Sequence, residues 1–148
     1  MRTLSKAFGL AGIRCGAALA CAQVIDLLGR ILPPYAYPTP SRDVALACLD
    51  PGFRDELERR AALLRSERDR LAQHLQRLPD VIRIWPSEAN FLLLEARDPA
   101  IIVAAAKQGG VLIRDFSANP FTEGCLRITV GDPAQNDQLL DALGATAD

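Results

Sequence analysis

Apolar residues recur at three- and four-residue steps through Leu57, Ala61, Leu64, Leu71, Leu75 and Leu78, with Arg68 breaking the stripe. Charges of both signs fill the intervening positions, as in Glu58-Arg59-Arg60. That period puts one apolar stripe along one side of a helix and predicts a long helix over 53–78, stopped by Pro79. Three Asp-Pro pairs, Asp50-Pro51, Asp98-Pro99 and Asp132-Pro133, each precede a helical pattern. Aspartate accepts the first free amides of a helix, and proline fits the first turn, where its missing N–H would be unpaired. The second pair opens a helix running toward Gly109-Gly110, and the third one whose Leu139, Leu140 and Leu143 share a face before Gly144. Thr39-Pro40 starts a further helix through Leu49.

Strand signals are shorter. Val81–Trp85, Phe91–Leu94, Val111–Ile113 and Leu126–Val130 are rich in β-formers and bounded by Gly, Pro or Asn. From residue 80 the order is strand, strand, helix, strand, strand, helix. It predicts an α/β (α+β) fold with helices on one face of a small sheet. Residues 33–40, Pro-Pro-Tyr-Ala-Tyr-Pro-Thr-Pro, read as an extended connector.

Composition narrows the function classes. The 148 residues are 49% apolar and 24% charged, with a net charge of −1, as in an ordinary globular domain. That balance gives no reason to expect nucleic acid or an anionic membrane as partner. The arginines of the long helix alternate with acids and lack aromatics for stacking bases, so they read as a solvated face. The apolar region near the N-terminus is broken by Arg14 and Asp26 and is too short to span a bilayer. Lys6 interrupts any signal-type apolar core. Cys15, Cys21, Cys48 and Cys125 have no C-x-x-C spacing, and His74 is the single histidine. A disulfide framework and a zinc site are therefore not expected, and reduced thiols in the cytoplasm are.

The candidate chemistry lies in residues 1–16, Met-Arg-Thr-Leu-Ser-Lys-Ala-Phe-Gly-Leu-Ala-Gly-Ile-Arg-Cys-Gly. Lys6 offers an amine that can form an imine with an aldehyde. Ser5 offers a hydroxyl and Arg14 a planar, permanently charged fork for a phosphate. Gly9, Gly12 and Gly16 let backbone pass close to a ligand or a strand. By residue type and spacing alone, a lysine near a terminus reads first as a solvated surface group, and a cofactor site is the minority reading.

The wording of this whole run resembles the Schiff-base lysine segment of the fold-type-I pyridoxal-phosphate aminotransferases, and within them the histidinol-phosphate aminotransferase family. The resemblance extends through Pro34-Tyr35 and Thr39-Pro40, Ser87-x-Ala89-Asn90-Phe91, Gly110-Val-Leu-Ile-Arg114-Asp115 and Gly124-Cys-Leu-Arg127-Ile-Thr-Val-Gly131. It implies pyridoxal 5'-phosphate as cofactor, Lys6 as catalytic residue, Ser5, Lys6 and Arg14 as cofactor ligands, and Arg127, Arg114 and Asn90 at the substrate. Small amino-acid and oxo-acid substrates and a homo-oligomer, a dimer in the family, follow. The implied reaction is transamination between L-histidinol phosphate and 2-oxoglutarate, with a phosphate-recognising decarboxylase of the same superfamily as alternative. Residue by residue, Arg114 could instead pair with Asp115, Arg127 could be an outward strand residue, and Asn90 a turn residue.

In that family a large domain precedes the lysine. The resemblance therefore divides the chain into residues 1–40, the end of a cofactor-binding domain with its connector, and residues 41–148, the small C-terminal domain with its linking helix. It also implies that these residues alone form an incomplete enzyme, or a non-catalytic piece that folds and oligomerises.

Overall fold

The computed structural model describes residues 1–145 and divides into two compact units, Met1–Ala61 and the residues from Ala62 onward. In the first, β1 (Arg2–Thr3) and β2 (Gly16–Ala17) form a two-stranded antiparallel hairpin. A single 3-10 turn, Ala11–Ile13, lies in its loop. Two helices follow, α1 (Ala22–Ile31) and α2 (Thr39–Cys48), separated by the extended connector. α1 segregates Gln23, Asp26 and Arg30 from its apolar residues yet buries none of them. The buried apolar residues of this unit are Ala45, Cys48 and Leu57.

The long helix α3 spans Pro51–Leu75, starting two residues earlier and ending three earlier than the leucine stripe suggests. The chain passes from one unit to the other within it. The second unit continues with β3 (Val81–Ile84), β4 (Phe91–Ala96), α4 (Pro99–Gln108), β5 (Arg114–Asp115), β6 (Cys125–Thr129) and α5 (Pro133–Ala142). Its sheet has the order β3-β4-β6-β5, antiparallel throughout.

Local chemistry sets the helix ends. Asp50 accepts the Gly52 amide at 2.9 Å and Asp98 the Ala100 amide at 3.0 Å. Asp132 and Gln135 form a reciprocal capping box. Gly110 and Gly144 take φ of 79° and 63° just past α4 and α5. At each, paired bonds close the last carbonyls: Gly110 N–H to Lys107 and Val111 N–H to Ala106, then Gly144 N–H to Asp141 and Ala145 N–H to Leu140.

The core lies between one sheet face and the helices. Leu92, Leu94, Leu126, Ile128 and Val130 meet Leu71 and Leu75 of α3, Ile102 and Ala106 of α4, and Leu139 and Leu140 of α5. In β4, Leu92, Leu94 and Ala96 are buried while Phe91, Leu93 and Glu95 are half-buried on the other face. One expectation fails. Val111–Ile113 stand outside the ladder, and β5 pairs only as Arg114↔Arg127 and Asp115↔Leu126. The Gly110–Ile113 segment instead borders an open cleft with Thr129, Gln135 and Gln138. No helix among the described residues is long and apolar enough to cross a membrane.

A buried polar chain joins α3 to the turn after β6. Glu67, 7% exposed, accepts two bonds from Arg70 and one from the Asn136 amide at 2.8 Å. Asn136 also accepts the Gly131 N–H at 2.9 Å and donates to the Gly131 carbonyl at 3.1 Å. Arg70 holds Asp137 at 2.7 Å. The guanidinium of Arg70 keeps the Glu67 carboxyl below its ordinary range despite burial, with Asn136 assisting.

Candidate active site

The hairpin neck organises the lysine segment. Beyond the Thr3↔Gly16 pair, the Leu4 N–H donates to the Cys15 carbonyl at 3.1 Å. Ser5 and Arg14 lie just outside that bond, one on each arm, so residues nine positions apart meet at one end of the hairpin. Both line an open concavity of about 450 Å³, with Arg2, Thr3, Cys15 and Leu28 among its walls. Lys6 is the next residue on the loop. It is exposed and outside that lining, and its carbonyl accepts the Gly9 N–H at 2.9 Å.

Gly9 has φ 66°, which favours glycine, and a Cβ on Gly16 would sit 3.0 Å from the Arg2 carbonyl. Gly12 has open space and no such φ, so nothing in its geometry requires glycine. Arg14 is itself left-handed, φ 54°, and its Nη1 donates to the Ala11 carbonyl at 3.1 Å. A non-glycine residue in this region costs about 1 kcal/mol or more. The connector returns toward the neck: the Cys15 thiol beside Tyr37 pushes its phenol up to about 12, and the Tyr37 hydroxyl donates to the Ser41 carbonyl at 3.2 Å.

The second unit gathers the other candidates on the sheet face opposite the core. Arg114 and Arg127 are direct cross-strand partners, and Leu93 faces Arg127 from β4. The Arg127 guanidinium lies over Phe91 at 5.3 Å and Phe116 at 5.7 Å, and the Arg114 guanidinium over Phe116 at 5.2 Å. The Arg127 Nε is buried without a hydrogen-bond partner. Among the described residues neither arginine is ion-paired, and the same holds for Lys6 and Arg14. Asp115 does not take Arg114. Its carboxylate accepts the Ser117 N–H at 2.7 Å, and bonds from Ser117 hold the carboxyl below its ordinary range.

Asn90 is half-buried at the start of β4, where its carbonyl accepts the Val130 N–H at 2.9 Å. Its side chain makes no hydrogen bond among the described residues, so no bond ties it to either arginine. Phe91 and Phe116 are the site residues that sequence reading passed over. Phe116 follows Arg114 by two positions, and that spacing was the available signal.

The chain belongs to the aminotransferase class I and II family, whose model matches residues 1–143. Within that class, it is 39% identical over 145 residues to the histidinol-phosphate aminotransferase of Shigella flexneri serotype 5b. That alignment covers 98% of this chain and 41% of the relative, so the chain spans about two fifths of that relative's length. Among solved structures, histidinol-phosphate aminotransferase from Sinorhizobium meliloti in complex with pyridoxal-5'-phosphate superposes with TM-score 0.78 at 26% identity, covering 96% of this chain and 39% of that one. L-threonine-O-3-phosphate decarboxylase from Porphyromonas gingivalis superposes with TM-score 0.69 at 28% identity, covering 97% and 44%.

Proposed function

We propose that this chain serves a pyridoxal-phosphate-dependent transamination between L-histidinol phosphate and 2-oxoglutarate, with Lys6, Ser5 and Arg14 at the cofactor and Arg114, Arg127 and Asn90 at the substrate. The observation that carries it is the hairpin neck. Ser5 and Arg14 share one concavity beside Lys6, and no acid neutralises Arg14 there. Arg14 spends one nitrogen on Ala11, which leaves further donors for a phosphate dianion, and the Ser5 hydroxyl adds another. The donor set therefore fits the cofactor's phosphate. Once bound, the cofactor supplies an electron sink for breaking a bond at the substrate Cα.

The protein's own part is binding and proton handling. Lys6, exposed and without an ion pair among the described residues, carries the amine that would tether the cofactor and later carry a proton to and from the substrate carbon. Arg127 and Arg114 are two cations in cross-strand register without an ion pair among the described residues, which suits a substrate bearing two anionic groups. The relative from Shigella flexneri supports histidinol phosphate as that substrate. A homodimer is the assembly that goes with this reading.

A phosphate-recognising decarboxylase is the second reading, because the same two guanidiniums suit a phosphorylated amino acid and the Porphyromonas gingivalis enzyme has the same fold. Release of carbon dioxide, against conversion of 2-oxoglutarate to glutamate, separates the two.

The test of the lysine assignment is borohydride reduction of the chain with pyridoxal phosphate, followed by peptide mapping. Label is expected on Lys6 and lost in Lys6→Ala. Label spread evenly over Lys6 and Lys107 would remove the basis of the proposal.

A further inference from the structure

We propose that Phe116 is a positioning residue that orients both Arg114 and Arg127 while leaving their charges free for a ligand. The inference rests on the reading of these arginines as anchors for substrate anions.

Two like charges directly opposite on neighbouring strands repel, and a long guanidinium left alone samples many rotamers. Proteins usually hold such a group with a carboxylate, which also cancels its charge. Here no carboxylate pairs with either arginine among the described residues, and the adjacent Asp115 is engaged by Ser117. What both guanidiniums share is one aromatic ring, at 5.2 and 5.7 Å from the Phe116 centroid. The negative face of a phenyl ring attracts a cation without neutralising it.

The ring is itself anchored. The Phe116 N–H donates to the Cys125 carbonyl at 2.9 Å. Its carbonyl accepts the Asn119 N–H at 3.0 Å and the Thr122 hydroxyl at 3.1 Å. The backbone on both sides of the ring is therefore fixed before any ligand arrives. Phe91 supports Arg127 alone, at 5.3 Å, so Phe116 is the group common to the pair. The buried, unpartnered Nε of Arg127 shows that its orientation is not set by a hydrogen bond at that atom.

The experiment uses the full chain with three replacements at position 116: Leu, Tyr and a site-specifically incorporated pentafluorophenylalanine. The last nearly keeps the shape of the ring but inverts the charge of its face, so it guards against a Leu variant that folds poorly. Two readouts are taken: the Nε–Hε resonances of Arg114 and Arg127, and titrations with inorganic phosphate and with 2-oxoglutarate. The Leu and fluorinated variants should move both resonances and weaken binding of each anion by about threefold to tenfold, while Phe116→Tyr stays near the unaltered chain. Unmoved resonances and unchanged affinities in both variants would overturn the proposal and leave the anchor reading standing. If the unaltered chain binds neither anion, the anchor reading fails and the proposal falls with it.

Discussion

The two units of this chain contrast in how they use apolar residues. From Ala62 onward, apolar residues of three helices and of the strands β3, β4 and β6 close on one core. In Met1–Ala61, burial is confined to Ala45, Cys48 and Leu57, while Val24, Ile25, Leu27, Leu28 and Ile31 of α1 are all exposed. The first unit nonetheless holds Lys6, Ser5 and Arg14, whose arrangement comes from a hairpin neck and its hydrogen bonds rather than from packing. The cofactor-side candidates thus sit on a stretch with little burial, whereas Arg114 and Arg127 sit on the sheet whose other face carries the core.

The largest test of that contrast is Leu94→Ala. Leu94 is fully buried between the sheet and the helices, and the change should cost about 3–5 kcal/mol in a urea melt. Asn136→Ala comes next. It leaves both backbone groups of Gly131 and one bond to Glu67 unmet, for a loss of about 2 kcal/mol.

The pH response is smaller. The carboxyl of Glu67 is held below its unfolded value, so its contribution is present above the unfolded pKa and is lost as pH falls through the lower folded one. Melts between about pH 6 and pH 2 should show acid destabilisation beginning below about pH 4.3, reduced in Glu67→Gln. A variant with an unchanged acid slope would show that Glu67 carries none of it.

The smallest expected effect is Leu28→Ala at an exposed position of α1, within about 0.5 kcal/mol. A loss comparable with Leu94→Ala would erase the contrast. In the same direction, we propose that a chain beginning at Thr39 still melts cooperatively.

What could be read from the sequence was local. The Asp-Pro pairs marked helix starts because a cap is satisfied within three residues, and Gly110 and Gly144 marked stops for the same reason. The leucine stripe of α3 was legible because one face repeats along one helix. Val111–Ile113 misled because β-forming residues do not specify a partner, and the ladder with β6 begins only at Arg114. The Glu67–Asn136 bond joins residues 69 positions apart and has no local signature. Of the candidate site, the lysine run and both arginines were visible as motif positions. The aromatic ring between the arginines was not, since strand register and the turn after β5 bring it there.

The cysteines give the two units separate clocks. Cys48 is buried in the first and Cys125 in the second, where burial also pushes the thiol up, while Cys21 lies open to solvent. A thiol reagent therefore modifies Cys21 at once, but must wait for Cys48 and Cys125 until their surroundings open. Mass spectrometry of each peptide over time would give an opening rate for each unit from a single sample. The ratio of those rates compares how readily the hairpin's own unit and the helix-backed sheet open.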